Sequence, residues 1–179
     1  MFKNATFLRG GKVIGSSRVI VAVAALLATA SLPAFGQPSV VSALPASGSG
    51  SVRTFTLAVA DSAGAANIGY AYLLVNASLS AASGCFVEYN HAANTFRLQN
   101  DAGTGWLGPT PVGTGTALVN SQCTVSAAAG STSSSGNNLT VNITLTFAAG
   151  FAGLKSVFGN AYDNALISSS WIATGSWNP

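Results

Sequence analysis

LTVNITLTF, residues 139–147, alternates apolar and polar side chains without a break: Leu139, Val141, Ile143, Leu145 and Phe147 against Thr140, Asn142, Thr144 and Thr146. Successive side chains of a strand point to opposite faces, so this pattern predicts a β-strand with one face in a core and the other in water. Phe55, Leu57 and Val59 alternate with Thr54, Thr56 and Ala58 in the same way, up to the turn Asp61-Ser62-Ala63-Gly64. Residues 68–75, IGYAYLLV, are apolar at both parities, which predicts a central strand, either covered on both faces or with an outer face that carries exposed tyrosines, Tyr70 and Tyr72. Residues 85–89 and 95–99 flank Asn90-His91-Ala92-Ala93-Asn94, a connection of hairpin length and composition. Further strands are expected at 40–44, 117–125, 155–162 and near 171–177, and no segment after residue 36 sustains a period of 3.6. The serine-rich stretch 126–137 is expected as a surface loop. About eight or nine short strands joined by Gly, Ser, Asn and Pro turns predict an all-β antiparallel sandwich of Ig-like type, with a jelly roll as the rival.

The other end of the chain has a different character. Lys3, Arg9, Lys12 and Arg18 precede an apolar run over 19–32, and Ala34-Phe35-Gly36 supplies small residues ahead of Gln37. This is the layout of a signal peptide over 1–36, too short in its apolar part for the roughly 20 residues of a membrane span. The expected mature chain, 37–179, is one domain. It keeps Arg53, Arg97 and Lys155 against Asp61, Glu88, Asp101 and Asp163, three cations against four carboxylates and so a net −1, and the positive sign of the formal +3 comes from the leader. Three scattered cations cannot neutralise a row of phosphates, which excludes nucleic acid as a partner. The chain is expected to be secreted or held at the cell surface, without a membrane span once the leader is removed.

Cys85 and Cys123 are the only cysteines, and both fall in the exported part, where an oxidising compartment lets them pair. Two cysteines and the single histidine, His91, are too few for a zinc site. His91 is expected as an exposed loop residue, and no G-x-S-x-G elbow accompanies it. Glu88 lies between Val87 and Tyr89 and is expected to point to solvent while Cys85, Val87 and Tyr89 face inward; no carboxylate pair for a glycosidase is recognisable. No catalytic residue and no cofactor are therefore expected. The weak calcium candidates are Asn100, Asp101, Asp163 and Asn164, oxygen donors in loops. Flat, amphipathic rings are the groups best suited to recognition, which selects Trp106, Trp171, Trp177, Tyr70, Tyr72 and Tyr89, and above all Trp106, Tyr70, Tyr72 and Tyr89, with Trp106 displayed by the Gly-rich run 101–109.

The segments PSVVSALPASGSGSVRTFTLAVAD, CFVEYNHAANTFRLQNDAGTGWLGP, LVNSQCTV and FAGLKSVFGNAYDNALISSSW resemble an Ig-like or fibronectin-like module of large secreted and surface proteins of bacteria, of unassigned function. The resemblance implies a β-sandwich and the Cys85 to Cys123 pairing, and it carries over no catalytic residue. Asp163 is expected to close a turn through its side chain, a turn loosened by Leu166 where similar modules often have Gly. Three function classes follow: a structural or adhesive surface module, a carbohydrate-binding module with an aromatic platform, and a self-assembling subunit that pairs strand 40–44 with a second copy. The partner is accordingly a surface glycan, a protein or the chain itself.

Overall fold

The structure, a computed structural model, describes residues 36–179, so nearly all of the expected signal peptide lies outside the described residues. Twelve strands form among them: β1 Ser39–Leu44, β2 Ser47–Ser49, β3 Val52–Ala60, β4 Ile68–Asn76, β5 Cys85–Asn90, β6 Thr95–Gln99, β7 Trp106–Pro111, β8 Leu118–Val119, β9 Cys123–Ser135, β10 Asn138–Phe147, β11 Lys155–Asp163 and β12 Ile172–Asn178. One sheet runs β1-β3-β10-β9-β8, the other β2-β12-β11-β4-β5-β6-β7, and every pairing is antiparallel except that of β2 with β12.

This is the strand order of an immunoglobulin sandwich. β1, β3, β10 and β9 correspond to one sheet, and β12, β11, β4, β5 and β6 to the larger sheet of the variable type. The jelly-roll alternative is thereby set aside. The short β2 arises because the chain leaves β1 at Pro45 and crosses to the edge of the opposite sheet, where Ser176 donates its backbone N–H to the Ala46 carbonyl at 2.8 Å.

The alternating faces meet in one core. Phe55, Leu57, Val59, Leu139, Val141, Ile143 and Leu145 from the smaller sheet pack against Leu73, Val75, Val87, Tyr89, Phe96, Leu98 and Val157 from the larger. Trp177 fills one end: its ring meets Phe55 edge-on at 5.6 Å, its indole N–H donates to the Gly50 carbonyl at 2.8 Å, and Arg53 lies over its outer edge. The Cys85–Cys123 disulfide joins β5 to β9 and so ties the two layers together. It does not occupy the β3 to β11 position that bridges antibody domains.

Three expectations are corrected here. Residues 126–135 are strand, not loop: β9 continues to Ser135 and pairs with β10 across the turn Gly136-Asn137. Serines and threonines satisfy that ladder, Ala127 turns into the core, and Gly130 lies beneath Phe96 so closely that a Cβ would come within 2.6 Å of the ring. The strand expected over 117–125 is broken in two, because the Asn120 side chain accepts the backbone N–H groups of Gln122 and Cys123 and makes a turn of residues 120–122. Trp106 is not on a loop; it opens β7 opposite Gln99.

Candidate functional site

The larger sheet places one row of side chains side by side on its outer face. Asn160 on β11 is opposite Tyr72 on β4, Tyr72 is opposite Glu88 on β5, and Glu88 is opposite Arg97 on β6. Glu88 points away from the core, as its parity requires, yet it is 2% exposed. The expected solvent-facing carboxylate is instead covered by aromatic neighbours. It accepts hydrogen bonds from Arg97 Nε at 2.7 Å and from the Tyr72 hydroxyl at 3.1 Å, the only ion pair among the described residues being this one with Arg97.

Above the row, Tyr72, Phe86, Trp106, Tyr162 and Trp171 line an open groove of about 290 Å³. Trp106 approaches Phe86 at 5.1 Å and 62°, and the Arg97 guanidinium sits 5.3 Å from its ring centre. Trp171 arrives from the segment between β11 and β12, reaching back to within 5.4 Å of Phe86 and 6.2 Å of Tyr72. Asn160 holds that segment in place: its side-chain carbonyl accepts from the hydroxyls of Ser168 and Ser169 at 3.0 and 2.9 Å. Ser169 also pairs through its backbone with Ala161, and Ser170 adopts a left-handed φ of 66° just before Trp171.

Of the six aromatic candidates, Trp106, Trp171 and Tyr72 line the groove, Tyr70 flanks it, stacked on Tyr72 at 6.3 Å, and Trp177 lies in the core. Tyr89 is not there: it shares the inward parity of Cys85 and Val87, is 1% exposed and packs on Phe96 inside the sandwich. Phe86 and Tyr162 complete the groove. The outward parity of Phe86 next to Cys85 was the one signal in the chain that could have selected it. His91 is half-buried, with Nδ1 2.9 Å from the Ile68 carbonyl.

Burial, then the Glu88 carboxylate beside it and their hydrogen bond, hold the Tyr72 phenol well above the ordinary phenol range. An unfolded phenol ionises near pH 10, about where the folded one does not. The stabilising contribution is therefore fully present below that pH and is lost as pH rises above it. Tyr72→Phe is expected to lower stability at pH 8 through the lost hydrogen bond, and to show a shallower further fall than the parent above about pH 10, read from urea midpoints. Parallel curves for the two proteins would refute the assignment.

The loop oxygens expected as calcium ligands divide into two groups. Asn100 and Asp101 are occupied: Asn100 Oδ1 accepts from Thr104 N and Gly105 N, and both Asp101 oxygens are taken by the hydroxyl and backbone N–H of Ser121 at 2.6 and 2.8 Å. The Ser121 hydroxyl and then its N–H hold the exposed Asp101 carboxyl below the usual carboxylate range. Asp163 does close its turn, accepting Ala165 N and Ile167 N at 2.9 and 2.7 Å. Leu166 takes φ 63° without opening it, donating its N–H to the Asp163 carbonyl at 3.0 Å.

The terminal strands are both paired, β1 with β3 and β12 with β11 and β2. No described helix is long and apolar enough to cross a membrane. The buried disulfide fits an oxidising, extracytoplasmic compartment. No family model, no curated protein and no solved structure matches this chain.

Proposed function

We propose that this chain is a secreted or cell-surface, non-enzymatic recognition module of Ig-like build that binds a neutral glycan in its aromatic groove. The observation that carries the reading is the groove itself, a concavity lined by five aromatic side chains on the outer face of the larger sheet. Sheets that only need solubility present polar residues outward, whereas rings at a surface offer apolar area to the C–H faces of sugars.

The polar floor supports the same class. The Tyr72 hydroxyl in the groove and the partly exposed Arg97 guanidinium beside Trp106 can exchange hydrogen bonds with sugar hydroxyls, while the buried Glu88 neutralises Arg97. Its volume lies at the lower end of the roughly 300–1,000 Å³ of small-molecule sites, the size for one or two units of a longer chain. Adhesion to a glycan-coated surface is the form of the structural or adhesive role that this groove favours. Self-assembly through β1, which pairs with β3 on one side and forms the edge of the smaller sheet, is the second reading.

The test is a glycan array on the purified protein followed by calorimetry with the best neutral oligosaccharide. Trp106→Ala is expected to weaken binding at least tenfold, about 1.4 kcal/mol, and to lower stability far less than the about 3–5 kcal/mol of a fully buried indole. A blank array, or a Trp106→Ala protein that binds as the parent does, would leave the module a scaffold.

A further inference from the structure

The aromatic groove has a second property that stacking on sugars does not use. Its rings are steeply inclined to one another: Phe86 makes 62° with Trp106 and 70° with Trp171, and Tyr72 makes 42–79° with Phe86, Trp106, Tyr162 and Trp171. A flat stacking platform needs rings that are close to coplanar. Inclined rings at centre distances of 5.1–6.5 Å instead wall an open space from several sides. Such walls suit a rounded cation without N–H groups, because ring faces are negative and a quaternary ammonium has apolar surface all round. It also leaves no donor unpaired on entry, whereas a primary ammonium carries three.

The protein's own cations make the independent observation. All three Lys and Arg side chains among the described residues lie over aromatic rings: Arg53 on Trp177 at 5.6 Å, Lys155 on Phe151 at 4.7 Å and Arg97 on Trp106 at 5.3 Å. Tyr72, Phe86, Tyr162 and Trp171 carry none of them, so four groove rings keep their negative surface for a cation from outside. Arg97 flanks this box with a spare edge. Its Nε and Nη2 are engaged by Glu88, while Nη1 makes no hydrogen bond to a described residue on a side chain that is 33% exposed. An open guanidinium edge is a receptor for a phosphate oxygen. We infer that the groove binds a phosphocholine group, with the trimethylammonium among Tyr72, Phe86, Tyr162 and Trp171 and the phosphate on Arg97 Nη1. The zwitterion is neutral overall, which matches a floor where Glu88 and Arg97 already cancel. This inference uses the same groove as the glycan reading and does not rest on a sugar being its ligand.

Phosphocholine titrated into the purified protein is expected to bind once, with a Kd of about 1 mM or tighter, and to change the indole fluorescence. Choline should bind severalfold more weakly, and phosphoethanolamine about tenfold more weakly because its primary ammonium loses water hydrogen bonds in the box. Trp171→Ala should weaken phosphocholine about tenfold. Arg97→Gln should weaken phosphocholine about tenfold yet tighten choline, since Glu88 loses its counter-charge. A merely damaged fold would weaken both ligands alike, so the opposite responses isolate the phosphate contact. Phosphatidylcholine vesicles and phosphocholine coupled to albumin distinguish a lipid headgroup from a soluble or glycan-borne ester, and capture by either supports the site. No saturable binding of free phosphocholine would overturn it, as would equal affinity for phosphoethanolamine or an unchanged phosphocholine-to-choline ratio in Arg97→Gln. A blank glycan array beside phosphocholine binding sinks the glycan reading alone, and the reverse pair of results sinks this one alone.

Discussion

Replacing Cys85 and Cys123 together by serine is expected to remove about 4 kcal/mol of stability, because the bridge closes a loop with a sequence separation of 38. Both cysteines are buried in the sandwich, at 0% and 1% exposure, so two serine hydroxyls enter a space with no polar partner and add to the loss. The bridge joins β5 to β9, the only side-chain covalent link between the layers among the described residues. A midpoint drop on the order of 10 °C follows for a domain of this length. Reduction of the parent should reproduce it. If oxidised and reduced protein unfold at the same urea concentration, the bridge contributes nothing. The consequence reaches the groove, since Phe86 is carried on the strand that Cys85 anchors.

The strands legible in the sequence are those with one face in the core. Residues 139–147 and 54–59 alternate because Leu, Val, Ile and Phe must reach the interior while Thr and Asn meet water. β4 was legible as a central strand for the opposite reason: Leu73 and Val75 face the core while Leu74 is buried outside it, beneath Gly84. The 126–135 stretch was not legible. Its inward residues are Ala127 and Gly130, small because Phe96 occupies the space, and small residues give no hydropathic signal. β7 was hidden by the glycines around Trp106, of which Gly103 takes φ 71° against the backbone of Ala82 in the connection between β4 and β5.

The candidate site was half legible. Parity assigned Tyr72, Glu88 and Tyr70 to the outer face, but parity does not say whether an outer face is wet. Glu88 is dry because Tyr72 and Arg97 close on its two oxygens, and the groove above it is completed by Trp171, whose segment Asn160 holds by gripping two serines eight and nine residues further on. Such an anchor is a tertiary contact between ordinary polar residues. Nothing in their composition distinguishes them from the many other Ser and Asn residues of the chain.

Arg97→Ala is the substitution expected to cost most among the polar residues. It leaves the Glu88 carboxylate, 2% exposed, with only the Tyr72 hydroxyl as partner. Removing one member of a fully buried pair costs about 3–5 kcal/mol, and the Arg97 side chain, at 33% exposure, leaves a path for water that brings the expectation below that range, to about 2–3 kcal/mol. The guanidinium also lies on the Trp106 ring, so its loss frees the indole and should weaken glycan binding beyond what Trp106 exposure alone explains. The double variant Arg97→Ala, Glu88→Gln separates the two effects. An amide carries no charge to strand and can still accept from Tyr72, so stability should return most of the way to the parent while binding stays weak. If the double variant is no more stable than Arg97→Ala, the cost arises from the lost arginine stem packing and not from an unpaired carboxylate, and the ion pair is not what holds the groove floor.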